Sequence, residues 1–194
     1  MSPDRPEDRV ARALEALPRT GFLRRLERLR AGLDGPLPIG HGQTSSQPRT
    51  VAEMLALLDV RPGQRVLDVG SGSGWTTALL ARLTGPGGVV VGVERVPDLV
   101  AFGAANLERA GMPWARITTA AAGVLGAPAL GPFDRILVSA GAERLPAALV
   151  DQLADGGVMV IPVAGVMLRV GRAGDEIAVE RHGHYLFVPL VEDR

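Results

Sequence analysis

Gly70, Gly72 and Gly74 stand at alternate positions in VLDVGSGSGW, directly after an apolar run and directly before an amphipathic one. Glycines at such a turn let the backbone bend tightly and let a ligand approach the main chain closely. Asp68 lies just ahead of the first glycine, and Glu94 closes the next apolar run, GVVVGVE. An acidic residue about 20 positions beyond a glycine turn can take both hydroxyls of a ribose. The chemistry on offer is nucleoside binding at the end of a strand. Asp68, Gly70, Ser71, Gly72, Gly74, Glu94 and the adjoining Arg95 form the candidate cofactor-binding set. A dinucleotide fingerprint, G-x-G-x-x-G, asks for glycine or alanine at its sixth position, where this chain has Trp75. A plain strand–helix turn also uses glycine, so the turn gains its meaning from Glu94 and Asp68.

A second stretch, DGPLPIGHGQTSSQPRT from Asp34 to Thr50, carries three glycines, three prolines, a histidine and four hydroxyl residues. It has neither a helix period nor clean strand alternation, and reads as a loop. Ser46 precedes Gln47-Pro48, and proline favours the first turn of a helix, so Ser46 is a candidate helix cap as well as a candidate reactive-site residue. His41, between two glycines, fits a packing role in the loop better than that of a base. His182 and His184 alternate along a strand pattern but have no evident third ligand, so no metal site is expected.

The elements that must position these residues follow from periodicity. Residues 7–31 read as helical, with Val10, Leu14 and Leu17 and then Leu23, Leu26 and Leu29 at helical spacing, split in two by Pro18 and Gly21. TVAEMLALLDV reads as a helix with Thr50 and Glu53 as a capping box. From Arg65 to about Val163 buried strands and helices alternate: RVLDVG, WTTALLARLTG, GVVVGVE, PDLVAFGAANLERAG, ARITT, FDRILVSA, LPAALVDQLADGG and VMVIPV. That alternation implies a mostly parallel α/β sheet with helices on both faces, a doubly wound Rossmann-like architecture. Ligands bind such sheets at the carboxyl ends of the strands, at the switch point. The tail from Met167 reads as about three short strands around AGDE and RHGH turns. The organisation expected is one domain over 1–194: a helical part at 1–33, an active-site loop at 34–50, a cofactor-binding core at 51–163 and an antiparallel strand extension at 164–194.

Composition narrows the chemistry further. The 194 residues contain no cysteine, which removes thiolate catalysis and disulfides and suits a cytoplasmic protein. Every basic side chain is arginine, so Schiff-base and P-loop lysine chemistry are excluded. The net charge is zero, and nothing global draws the chain to nucleic acid or anionic lipid. No apolar run reaches the roughly 18 residues of a membrane span.

The acidic-x-G-x-G-x-G pattern resembles motif I of the S-adenosylmethionine-dependent methyltransferases. PLPIGHGQTSSQP looks very like the segment PLPIGHGQTISQP of the protein-L-isoaspartate O-methyltransferases. GPFDRILVSAGAERLP, GGVMVIPV and the closing FVPLV also resemble that family, in the same order, and the similarity runs from about Ala11 to the C-terminus. The resemblance implies a Rossmann-like methyltransferase sheet with N-terminal helices and a C-terminal strand extension. It implies S-adenosyl-L-methionine as cofactor and the carboxylate of an isoaspartyl or aspartyl residue, in a protein or peptide, as methyl acceptor. Ser46 matches the family's active-site serine, and Gly70, Gly72 and Glu94 match its cofactor loop and ribose acid.

The residues support a carboxylate acceptor on their own account. A carboxylate, with a pKa near ~4, is already ionised at neutral pH and needs orientation rather than a base. After the fourth strand the chain offers only Ser139-Ala140-Gly141-Ala142, with no base and no aromatic platform for a nucleobase. Four positions depart from the family pattern. Ala122, before Gly123, stands where the family has the aspartate that helps bind the adenine amino group. Ser45 replaces an isoleucine, Arg49 an aromatic residue, and Gly32 a tyrosine. Ala122 and Gly123 thus join the cofactor-binding candidates, and His41, Ser45 and Arg49 the substrate-binding ones. A specialised carboxyl methyltransferase of a biosynthetic pathway, or a catalytically weak cofactor-binding protein, remain open alternatives.

Overall fold

The computed structural model describes residues 5–191. Helix α1 spans Pro6–Ala16, and 3₁₀ turns follow at Arg19–Phe22 and Glu27–Arg30. A short hairpin of β1 (Leu37–Gly40) and β2 (Gln43–Ser45) leads into α2 (Pro48–Leu58). The core then alternates β3 (Arg65–Val69), α3 (Trp75–Thr84), β4 (Val89–Glu94), α4 (Pro97–Arg109) and β5 (Ala115–Thr119). After a 3₁₀ turn at Pro128–Leu130 come β6 (Phe133–Val138), α5 (Ala147–Val150), β7 (Leu153–Val163), β8 (Val166–Ala173) and β9 (Glu176–His184).

Strands β5-β4-β3-β6-β7-β8-β9 form one sheet in that order. The first five run parallel, and β8 and β9 are added antiparallel. This is the mixed, mostly parallel Rossmann-like sheet with a C-terminal antiparallel extension that the alternation implies. The chain leaves β3 for β4 on one side and returns to β6 on the other, so the carboxyl ends of β3, β4 and β6 surround the switch point.

Period-two alternation divides the strand residues between two cores. Val66, Val90, Val158 and Val160 pack against Val10 of α1, Val51, Leu55 and Leu58 of α2, and Leu79 and Leu80 of α3. Leu67, Val69, Val91, Val93, Ile136 and Ile161 face the other way, against Leu149 and Leu153. Helices thus lie on both faces, but unequally: the second is covered mainly by four-residue α5 and irregular chain.

Five local expectations are corrected. Residues 17–31 form no second α-helix, because of its leucines only Leu23 finds the core while Leu26 and Leu29 point to solvent. The glycine- and proline-rich stretch contains the β1–β2 hairpin, although it shows no alternation: Leu37 and Ile39 are buried, and Pro38 and Gly40 fill the positions between. Thr50 and Glu53 form no capping box. Helix α2 starts earlier, with Pro48 in its first turn and Gln47 as N-cap, which leaves Thr50 buried inside the helix. Of LPAALVDQLADGG only Ala147–Val150 is helical, and Leu153 already begins β7. The tail holds two long strands rather than three short ones, with RHGH inside β9.

Candidate active site

A cavity of about 610 Å³ opens at the switch point, within the range of small-molecule pockets. Its floor is Val69-Gly70 at the end of β3, Val93-Glu94 at the end of β4 and Ser139-Ala140 after β6. Ile39, Gln43 and Thr44 of the hairpin close it from above.

Gly70 and Ser71 donate their backbone N–H groups to the Val93 carbonyl at 2.9 and 3.2 Å, so the turn folds across the end of β4. Gly72 has φ +51°, and a β-carbon there would stand 3.0 Å from Ile39 Cδ1. Glu94 is nearly buried; its Oε2 accepts from Gly72 N at 3.0 Å, and its Oε1 from Arg95 N at 2.7 Å and Val96 N at 3.0 Å. Three backbone amides fix the carboxylate at the rim of the cavity, with lone pairs of Oε2 left to accept from vicinal hydroxyls.

The structure places Gly70, Gly72, Glu94, Arg95 and Gly123 along this cavity. Four other candidates do not line it. Asp68 is fully buried behind the turn, where its Oδ2 accepts from Thr76 Oγ1 at 2.8 Å and Thr77 Oγ1 at 2.7 Å. It locks β3 to the first turn of α3, and burial pushes its carboxyl up to about 6. Ser71 is buried with no partner for its hydroxyl. Gly74 serves helix packing, since a β-carbon there would meet the Gly103 carbonyl of α4 at 2.8 Å. Ala122 is exposed, whereas its neighbours Ala121 and Gly123 face the cavity.

A second cavity of about 660 Å³ lies alongside, lined by Ser46 just before α2, Arg49 and Glu53 in its first turns, His184 at the end of β9, and Tyr185 and Phe187 beyond it. Thr44, Ser139 and Val188 belong to both cavities and mark where they meet. Ser46 is half-buried and caps nothing, because Gln47 occupies the N-cap of α2. Arg49 is exposed and pairs through Nε with Glu53 Oε1 at 3.2 Å. The Tyr185 hydroxyl donates to Glu53 Oε2 at 2.6 Å, and that bond is the main reason its own pKa is raised.

Two substrate-side candidates are corrected. Ser45 is buried and turned inward, its Oγ accepting from Arg19 Nε at 3.1 Å. His41 sits at the hairpin turn with φ 55°, lies 3.1 Å from Asp98 of α4, and lines neither cavity. Among the described residues no three His, Asp or Glu side chains gather to hold a metal, and His182 and His184 belong to different environments. Thr44 and Tyr185 line the site without any mark in the sequence, and Ser139 lines both cavities although the sequence assigns it no role. Ser139 was legible as the first residue beyond the strand at the switch point; Tyr185 reaches Glu53 only through the tertiary fold.

The profile of the protein-L-isoaspartate(D-aspartate) O-methyltransferases matches residues 5–194. The chain belongs to that family. A protein-L-isoaspartate O-methyltransferase of Methanopyrus kandleri is 46% identical over 189 residues, covering 95% of this chain and 84% of the relative. One of Aeropyrum pernix is 44% identical over 192 residues, covering 94% and 72%. A solved methyltransferase of the same description from Plasmodium falciparum, in complex with S-adenosyl-L-homocysteine, superposes with a TM-score of 0.84 at 31% identity, covering 95% of this chain and 91% of that one.

The first cavity of this methyltransferase fits S-adenosyl-L-methionine on its own residues. The glycine turn leaves main chain rather than side chain at the floor, and Glu94 offers a fixed carboxylate for a ribose. The second cavity supplies hydroxyls and one guanidinium where an acceptor would enter.

Proposed function

We propose that this chain methylates the free carboxylate of an isoaspartyl residue in a damaged protein or peptide. The observation that carries the reading is the meeting of two cavities at Thr44 and Ser139, one built on Glu94 and the glycine turn, the other on Ser46. When bound, S-adenosyl-L-methionine supplies an activated methyl group. Glu94 takes the ribose hydroxyls, the glycine turn lets the nucleoside lie against main chain, and the hairpin bearing Ile39 covers it. An acceptor carboxylate with a pKa near ~4 arrives ionised, so the site needs no base. Ser46 and Thr44 donate hydroxyl hydrogen bonds that orient the carboxylate, and the walls formed by Phe187 and Val188 strip part of its water. Family membership and a cleft of hydroxyls that opens onto the cofactor cavity both support this reading.

Arg49 gives a more specialised reading its one foothold, because a guanidinium in the acceptor cleft favours a substrate with a second carboxylate. The test is transfer of labelled methyl to an isoaspartyl peptide, with the aspartyl peptide of the same sequence as control. Base-labile incorporation into the isoaspartyl peptide alone is expected. Binding of S-adenosyl-L-homocysteine without any transfer would overturn the reading.

A further inference from the structure

The acceptor hairpin is too small to hold its own shape. Strands β1 and β2 have four and three residues, and an isolated two-stranded hairpin is marginal at best in water. Yet it places Ile39 on Gly72 and Thr44 at the junction of the cavities, and it delivers Ser46. Something outside the hairpin must fix it.

We propose that Arg19 is the positioning residue of this loop, a single buried guanidinium that closes both of its ends over the site. Arg19 is only 4% exposed. Its Nη1 donates to the Leu33 carbonyl at 3.3 Å and its Nη2 to the Gly35 carbonyl at 3.0 Å, at the loop's entry. At the exit its Nε donates to Ser45 Oγ at 3.1 Å and its Nη2 to the Ser45 carbonyl at 2.7 Å. The guanidinium carbon also lies 5.8 Å from the centroid of Trp75, the first residue of α3 after the glycine turn. Trp75 is itself tied to the N-terminal segment by its Nε1–H, which donates to the Leu17 carbonyl at 2.9 Å. One cation therefore joins the N-terminal segment, the acceptor loop and the helix that follows the cofactor turn.

Only arginine can do this. Its planar fork presents five N–H groups on three nitrogens, whereas lysine offers three from one point and cannot span acceptors on Leu33, Gly35 and Ser45 together. Burial lowers the Arg19 pKa from its ordinary value, and Asp34, between the two entry carbonyls, partly offsets this by favouring the charge. It also accepts from the Arg49 backbone N–H at 3.2 Å, which links the pinned entry to the start of α2. Ser46, next to the pinned Ser45, inherits its position from Arg19 without touching it.

This inference rests on reading the second cavity as the acceptor side, and its test separates the two. Hydrogen exchange of residues 36–46, affinity for S-adenosyl-L-homocysteine and steady-state kinetics on an isoaspartyl peptide are measured for the unmodified protein, Arg19→Lys, Arg19→Met and the remote core variant Val170→Ala. Arg19→Lys is expected to speed exchange in 36–46 by about tenfold or more and to lower acceptor kcat/KM by a similar factor, the scale of one charged hydrogen bond. Affinity for S-adenosyl-L-homocysteine should fall less than acceptor kcat/KM, because Ile39, Gln43 and Thr44 also line the cofactor cavity while Glu94 is held by Gly72 independently of Arg19. Val170→Ala is expected to lower Tm with neither effect. Unchanged exchange in 36–46 in every Arg19 variant that folds would overturn the inference, as would kinetic losses that merely track Tm as in Val170→Ala. Should the unmodified protein leave the peptide untouched, the proposed function fails, and the exchange result alone still decides the role of Arg19.

Discussion

Ile39 and Gly72 touch so closely that a β-carbon on Gly72 would stand 3.0 Å from Ile39 Cδ1. The β1–β2 hairpin thus rests directly on the glycine turn at the floor of the first cavity. Gly72 must stay glycine for two reasons, the contact and its φ of +51°, a conformation L side chains rarely adopt.

S-adenosyl-L-homocysteine should therefore raise the Tm of the unmodified protein, by the equivalent of about 2.7 kcal/mol at 100 times its dissociation constant. Gly72→Val should abolish that rise, because the branched side chain displaces Ile39 and tilts the amide that binds Glu94. NAD should stabilise neither protein. A melting curve with each ligand reads the result, and stabilisation by NAD alone would contradict the cofactor assignment.

Ser46 and Arg49 line the second cavity, proposed to take the acceptor, and not the first. Ser46→Ala should lower methyl transfer by roughly two- to twelve-fold, one neutral hydrogen bond, with cofactor affinity unchanged. Arg49→Ala should leave stability within about 0.5 kcal/mol, since its pair with Glu53 is exposed. It should raise KM for peptides with an acidic neighbour beside the isoaspartyl residue more than for neutral ones. Equal effects on both peptides would show that Arg49 does not read the acceptor.

Ala122 does not line the cofactor cavity, whereas Ala121 and Gly123 do. Ala122→Asp should then leave affinity for S-adenosyl-L-homocysteine within about twofold. Tightening by the two- to twelve-fold that one added hydrogen bond supplies would put residue 122 on the cavity side after all.

Asp68 carries a built-in pH dependence. Its carboxyl rises from 3.8 to about 6, chiefly through burial. The folded protein therefore holds this proton more tightly than the unfolded chain does. Stability from this group is highest at acid pH, declines as pH rises from 3.8 through about 6, and is lost above. The cost at neutral pH is on the order of 3 kcal/mol. Asp68→Asn keeps an oxygen for Thr76 and Thr77 and never ionises, so it should flatten the fall in denaturant stability between about pH 4 and pH 7. Cofactor affinity should survive the change; its loss in a stably folded Asp68→Asn would make Asp68 a ligand rather than a brace.

Much of this molecule is set by local pattern. Apolar runs such as RVLDV and GVVVGVE, bounded by glycine turns and rich in valine, read as buried parallel strands. The sheet and the placing of the glycine turn and Glu94 at neighbouring strand ends follow from that, because each depends on local apolar runs and turns. The direction each side chain takes does not. Asp68 sits one residue from the turn, yet strand alternation turns it into the core toward Thr77. Ser45 and Ser46 are adjacent and chemically identical, and opposite faces of β2 and its exit send one to Arg19 and the other to the acceptor cavity. Arg19 is one of many arginines in a basic N-terminal segment, and nothing near it in the sequence marks it out. Its partners at Leu33, Gly35 and Ser45 come within reach only when the loop closes. Local pattern settles which elements form because propensity and burial act over a few residues. Contacts between distant segments decide which side chains meet, because they depend on how whole elements pack.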